Sequence, residues 1–162
     1  MRVVGGIYRG RRLAAFKGLS IRPTSDKVKE SVFNILGSYF GAACGGITPF
    51  PFKKTLDLFA GTGAMGIEAA SRGAHGVVFV DSDTASAAVI KKNLSALGIL
   101  TATVLKKNVS DAISALSLKH SVFDLIFIDP PYEAGLAAKT LLELDAAAIV
   151  ADEGVVVVEA SI

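Results

Sequence analysis

The sequence predicts an α/β fold: a mostly parallel sheet with helices on both faces, preceded by a small basic β-hairpin arm and a helix. Three observations predict it. From residue 55 onward, short apolar runs alternate with longer stretches of helical periodicity, the pattern of right-handed βαβ units. Gly61, Gly63 and Gly66 form a G-x-G-x-x-G spacing where the first apolar run gives way to a helical stretch. A second run, F-D-L-I-F-I at 123–128, is rich in β-branched and aromatic side chains, as in a strand buried on both faces.

Composition sets the outer limits. A chain of 162 residues that is 51% hydrophobic has the size and the material for one packed core. Within it, residues 1–54 read as an arm, a helix and a linker appended to a main domain at 55–162. No apolar run approaches the ~20 residues that span a bilayer, and the first residues lack the apolar core of a signal peptide. A cytoplasmic protein with no membrane partner is expected. The single cysteine, Cys44, lies in a glycine-rich stretch without His or Cys neighbours, so neither a disulfide nor a metal site is expected.

Charge is uneven. Residues 1–30 hold eight basic and two acidic side chains, a net +6, which leaves −4 on the other 132 residues of a chain whose total is +2. A basic end on a mildly acidic domain suits contact with phosphates. The plain alternative is a solvated charged face. Glycines between the arginines (Gly5, Gly6, Gly10) favour a presented surface over a helix.

Taken in order, residues 1–19 alternate β-prone pairs with glycines and predict a hairpin or extended arm. Pro23 disfavours helix at Arg22, and Thr24 or Ser25 can cap the helix that follows. Val28, Val32, Ile35, Leu36 and Tyr39 predict one buried stripe on that helix. Residues 37–54, with three glycines and two prolines after Gly37, read as a loop. Strands are predicted at 55–60, 76–80, 101–105, 123–128 and 155–159. Helices are predicted at 64–72, 83–97 (closed by Gly98), 110–118 and 135–144.

The run at 123–128 ends in Asp129-Pro130-Pro131-Tyr132. Neither proline has an N–H for a sheet ladder, so the strand stops and Asp129 sits at its carboxyl end, where open parallel sheets bind ligands. A carboxylate, an outward proline carbonyl and a flat ring suit a planar group bearing an NH2. Asp129 accepts one hydrogen, the Pro130 carbonyl the other, and Tyr132 stacks. The plain alternative is a strand ending in a polar turn.

The glycine loop lets a ligand approach main-chain N–H groups, and Asp81, at the end of the next strand, can bind both hydroxyls of an adenosine ribose. A dinucleotide would satisfy this equally. Three details favour S-adenosylmethionine. Asp57, within the strand before the glycines, would receive an ammonium but repel a pyrophosphate. Asp111 can accept from an adenine amine, although a helix N-terminal acid is an equal reading of it. Hydride chemistry, finally, gives Asp129 and its prolines no role.

These residues resemble a known family. L-D-L-F-A-G-T-G-A-M-G-I-E-A with V-D-S-D and I-D-P-P-Y is similar to the class I amino-methyltransferases, and R-V-V-G-G-I-Y-R-G-R-R-L with R-P-T-S-D-K-V-K-E-S-V-F-N-I-L resembles the RsmD family of 16S ribosomal RNA guanine-N2 methyltransferases. The resemblance runs from Arg2 to about Glu159. It implies a Rossmann-like fold and S-adenosylmethionine bound by Asp57, Ala60, Gly61, Gly63, Asp81, Ser82 and Asp111. Asp129, Pro130, Pro131 and Tyr132 would be catalytic. Arg9, Arg11, Arg12 and Arg22 would bind the RNA, within a small-subunit particle. DNA adenine-N6 methylation and a non-catalytic cofactor- and RNA-binding module are the competing readings. The class usually adds an antiparallel strand pair after the fifth strand; the sequence ends at Ile162, so that pair is not expected here.

Overall fold

The computed structural model describes residues 1–16, 25–41, 51–131 and 135–159. After the arm, the chain runs α1 (Asp26–Gly41), β1 (Lys54–Leu58), α2 (Ala64–Arg72), β2 (Gly76–Asp81), α3 (Thr84–Leu97), β3 (Thr103–Lys106), α4 (Val109–Leu118), β4 (Phe123–Ile128), α5 (Leu136–Ala147) and β5 (Val150–Val158). The five strands form one sheet in the order β3-β2-β1-β4-β5, and every neighbouring pair is parallel. The chain first builds outward from β1 to β3, then returns to the other side of β1 for β4. That reversal opens a crevice past the carboxyl ends of β1 and β4.

Alternation along the central strands splits the core in two. Phe79, Leu125 and Phe127 pack with Met65, Ile67, Ile90 and Leu94 on the face covered by α1, α2 and α3. Leu56, Leu58, Ile126 and Ile128 pack on the other face with Ile113, Leu116 and Leu144 of α4 and α5. Both faces are covered, as the unbroken apolar run of β4 predicts.

The sequence-based boundaries of α2 hold, and those of β4 do too. Others move. β3 starts two residues later than expected, and β5 starts at Val150 rather than at 155, with a register shift between Phe123 and Leu125 of its partner β4. The irregular pairing explains why only the regular V-V-V-V part of β5 shows in the sequence. α1 does not stop at Gly37 but runs through it to Gly41; an exposed helical glycine costs only about 1 kcal/mol. Ser25 caps α1, its Oγ accepting from Val28 N–H at 3.2 Å.

The buried stripe of α1 is also rotated from the predicted one. Phe33 and Leu36 are buried, but Val28 and Ile35 are exposed, at 39% and 59%. Lys29, which hydrophobicity alone would put outside, is buried completely. Its ammonium takes the Arg2 carbonyl and pairs with Asp26 at 3.1 Å and Glu68 at 3.9 Å. The ion pairs turn the helix so that this face points inward.

Residues 1–13 close on themselves through one antiparallel bridge, Arg2 to Arg12, and the bonds Val3 N–H to Arg11 and Gly10 N–H to Val3. The arm is thus a loop-like hairpin. Val3 and Leu13 are buried in the core of the main body.

Candidate active site

β1 delivers Asp57 to the α2 side of the sheet, 3% exposed. Its Oδ2 accepts from Gly66 N–H in the first turn of α2, at 2.9 Å. Burial, only partly offset by that bond and reinforced by the carboxylates of Asp129 and Asp81, pushes the Asp57 pKa up to about 8. One N–H of the first turn of α2, a group that a phosphate could use, is thus taken by Asp57.

Past β1 the backbone turns sharply, through positive φ at Phe59 (59°) and then at Gly61 (53°) and Gly63 (78°). The two glycines differ. A Cβ on Gly63 would press on Ile90 and Phe79 at 3.2 Å, whereas one on Gly61 would meet nothing within 4 Å. Gly63 serves packing, and Gly61 leaves an open backbone surface that a ligand can occupy. Asp81, ending β2, holds this loop: Oδ2 accepts from Gly61 N–H and Oδ1 from Asp83 N–H, both at 2.8 Å. Ser82 beside it is exposed, and Ala60 is fixed by its N–H to the Val80 carbonyl at 3.0 Å.

Asp129 lies immediately past β4, across the crevice from the loop. It lines a cavity of about 140 Å³ with Val28 and Val32 of α1 and Met65 of α2. Pro130 is half-buried and Pro131 exposed; Tyr132 lies outside the described residues. A larger cavity of about 420 Å³ is lined by Phe59, Asn108, Asp111 and Lys139, among others, between α4 and α5. Asp111 sits in the first turn of α4, its carboxylate accepting from Asn108 Nδ2 at 2.6 Å and its N–H donating to Asn108 Oδ1 at 2.8 Å. Both readings of this acid meet in one place, a helix N-terminus at a cavity wall.

Three carboxylates, an apolar crevice and an open glycine loop at the switch point can hold a ligand with a cationic group and a ribose, beside a second group presented to Asp129. Comparison with known proteins narrows this. The family described as "Conserved hypothetical protein 95" matches residues 1–162. Ribosomal RNA small subunit methyltransferase D of Escherichia coli (strain K12) is 35% identical over 162 residues, covering 100% of this chain and 75% of that one. The chain belongs to the RsmD family of ribosomal RNA methyltransferases. Among solved structures, the hypothetical protein TTHA0928 of Thermus thermophilus superposes with a TM-score of 0.83 at 30% identity, over 99% of this chain and 85% of that one. The fold is the Rossmann-like class I methyltransferase fold. SMU.776, a methyltransferase by name that was solved with S-adenosylhomocysteine, shares that fold at 24% identity and a TM-score of 0.59, over 68% of this chain and 31% of that one.

Of the four arginines expected to bind RNA, the three described ones, Arg9, Arg11 and Arg12, do not all lie at one place. Ile7 and Tyr8 N–H groups bond to Ser71, and Arg11 donates to the Ala96 carbonyl at 3.0 Å. These are the carboxyl ends of α2 and α3, so Arg9 and Arg11 lie toward the sheet edge opposite Asp129. Arg12 pairs with Arg2, whose N–H and guanidinium meet Asp26 at the start of α1, nearer the Asp129 cavity. Arg9, Arg11 and Arg12 are all exposed. Arg22 lies outside the described residues.

Sequence reasoning missed what anchors the arm of this RsmD-family chain. Glu68 of α2, fully buried, accepts from the N–H groups of Val4 and Gly5 at 2.7–3.2 Å and pairs with Arg72. Arg72, in the last turn of α2, stacks over Phe33 of α1 at 4.2 Å. Gly5 and Gly6 allow the approach: a Cβ on Gly6 would lie 1.9 Å from the Ser71 carbonyl oxygen. Asn93 of α3 links arm and loop, accepting from Ala14 N–H at 2.7 Å and donating to the Thr62 carbonyl at 3.1 Å. The available signal was a Glu, and separately an Asn, on otherwise apolar helix faces. Among the described residues no helix is long and apolar enough to cross a membrane.

Proposed function

We propose that this protein transfers a methyl group from S-adenosylmethionine to the exocyclic N2 amine of a guanine in 16S ribosomal RNA, presented within a small-subunit particle. In this reading residues 55–162 carry the chemistry and residues 1–54 help to meet the RNA. The observation that carries it is Asp129, placed one residue past β4 and across the switch-point crevice from the glycine loop. Two further points support it. Asp57 occupies one of the first-turn α2 N–H groups, and it and its neighbouring acids favour a ligand that brings positive charge. The Escherichia coli relative acts on ribosomal RNA by name, and SMU.776 was solved with the demethylated cofactor.

When bound, S-adenosylmethionine supplies an electrophilic methyl group on a sulfonium. Asp57 would receive its ammonium, Gly61 its approach to the backbone, and Asp81 its ribose hydroxyls. The lone pair of a guanine N2 is delocalised into the ring, which makes it a weak nucleophile. Asp129 and the Pro130 carbonyl, each accepting one N–H, would hold the amine pyramidal and aim its lone pair. The N–C bond forms as the C–S bond breaks, and the excess proton leaves to Asp129 or to water. Reaching this crevice requires the base to leave its stack, at a cost of a few kcal/mol.

The experiment is methyl transfer from tritiated cofactor to small-subunit RNA, small-subunit particles and DNA in parallel, followed by mass spectrometry of the labelled nucleoside. N2-methylguanosine from RNA or particles is expected. Label in DNA adenine would overturn the reading.

A further inference from the structure

The cavity at Asp129 holds a second acid that the mechanism above leaves idle. Glu159 follows β5 directly, and its N–H donates to the Ile128 carbonyl at 2.9 Å. Ile128 pairs with Val158 in the parallel register. Asp129 and Glu159 are therefore neighbours across two adjacent strand ends, where strands lie about 4.8 Å apart. Both line the 140 Å³ cavity, and every other residue lining it is apolar. A pair of acceptors side by side, walled by Val28, Val32 and Met65, is a selective arrangement for a flat group with donors in a row.

Purines differ on this point. The Watson–Crick edge of guanine carries N1–H beside the N2 amine, two donors in sequence. Adenine carries its N6 amine beside a bare N1, a donor and then an acceptor. We propose that Glu159 accepts the N1–H of the target guanine while Asp129 holds its N2 amine, so that Glu159 is the residue that selects guanine over adenine. This rests on the guanine-N2 reading of the site and adds the group that enforces it. Against adenine, the same carboxylate would face the N1 lone pair, so that the hydrogen bond is lost and two acceptors are set against each other. A site built around a substrate N–H rejects analogues that lack it far more strongly than a site built on shape alone.

2-Aminopurine tests this because it keeps the amine at position 2 but presents N1 as an acceptor. The methylated guanine is first mapped with unsubstituted small-subunit RNA, and 2-aminopurine is then placed at that nucleotide. Wild-type protein should prefer guanine by at least ~10²-fold in kcat/KM. In Glu159→Gln, whose amide can donate to a bare N1, that preference should shrink to within ~10-fold. Glu159 is exposed, so the variant should keep its melting temperature and its affinity for S-adenosylmethionine. A wild type that uses both bases equally, or a preference unchanged in Glu159→Gln, would overturn the assignment of Glu159 while the guanine-N2 reading stands. If no guanine is methylated at all, that reading itself falls, and Glu159 with it.

Discussion

Two buried carboxylates meet α2, Asp57 of β1 at its amino end and Glu68 at its middle, and the two do opposite work. At its amino end Asp57, reached from β1, sits against Gly66 N–H with Asp81 and Asp129 close enough to raise its pKa. Asp57 and Asp81 are held there by neutral backbone N–H groups, those of Gly66 and Gly61. Less than one turn further along α2, Glu68 is equally buried but enclosed by Lys29, Arg72 and two arm N–H groups. A buried acid supplied with cations by its own fold is a structural joint. Acids gathered at the carboxyl ends of parallel strands and steadied by neutral donors are, in the proposed function, the receptor for charge from outside.

Paired substitutions should separate the two regions. Asp129→Ala should lower methyl transfer by roughly 10²–10⁴-fold, the range for a positioned group of this type, while cofactor affinity stays within a few-fold and the melting temperature is unchanged. Turnover near wild type would remove Asp129 from the mechanism. Glu68→Ala should do the reverse. It leaves Arg72 and two part-buried arm N–H groups without their acceptor and takes one of two carboxylates from Lys29, and breaking a buried pair in this way costs roughly 3–5 kcal/mol, readable by urea unfolding. Lys29→Met should cost less, because Glu68 keeps Arg72 and the two arm N–H groups. Equal losses in the two variants would show that packing, and not the ion pair, holds the arm.

The Asp57 pKa sharpens the contrast further. Its folded value, about 8, lies above the ordinary carboxylate range near ~4. Between those limits the folded protein without ligand keeps a proton that the unfolded chain has lost. Stability from this group is therefore greatest at the acid end of the window and falls as pH rises toward 8. An ammonium-bearing ligand prefers the ionised form, so its binding should release up to about one proton at pH 7. Affinity should climb with pH by at most ~tenfold per unit. Calorimetry in two buffers of different ionisation enthalpy measures the proton, and Asp57→Asn should release none. A pH-independent affinity would place the ammonium elsewhere.

Most of the crevice was legible in the sequence because its parts are local. A strand, a stop and an acid occupy ten consecutive residues at 123–132, and the glycine loop is as compact. The Glu68 joint was not legible, since Val4, Lys29 and Glu68 meet only through tertiary packing. The same contact misled the reading of α1: hydrophobic spacing favoured Val28 and Ile35 inward, and ion pairing brought in Lys29 instead. Glu159 escaped for a related reason. Its meaning comes from lying beside Asp129 on the next strand, a neighbour thirty residues away in sequence.

The smallest expected effect concerns the arm, whose arginines are solvent-facing but not equivalent. Each phosphate contact removed should flatten the log–log salt dependence of RNA binding by roughly 0.7–0.9 units. Arg12 lies by the start of α1, which walls the Asp129 cavity through Val28, so RNA entering that cavity passes it first. Arg11 already spends a guanidinium N–H on Ala96 at the far end of α3. Arg12→Ala should therefore flatten the slope most, Arg9→Ala less and Arg11→Ala least, with the quadruple variant including Arg22 close to their sum. Cofactor affinity should not move in any of them, because none of the described three touches the glycine loop or its acids. Filter binding of small-subunit RNA over a series of salt concentrations gives the slopes. An identical slope in the wild type and the quadruple variant would make the basic end solvated surface, and would leave the approach of RNA to the main domain alone.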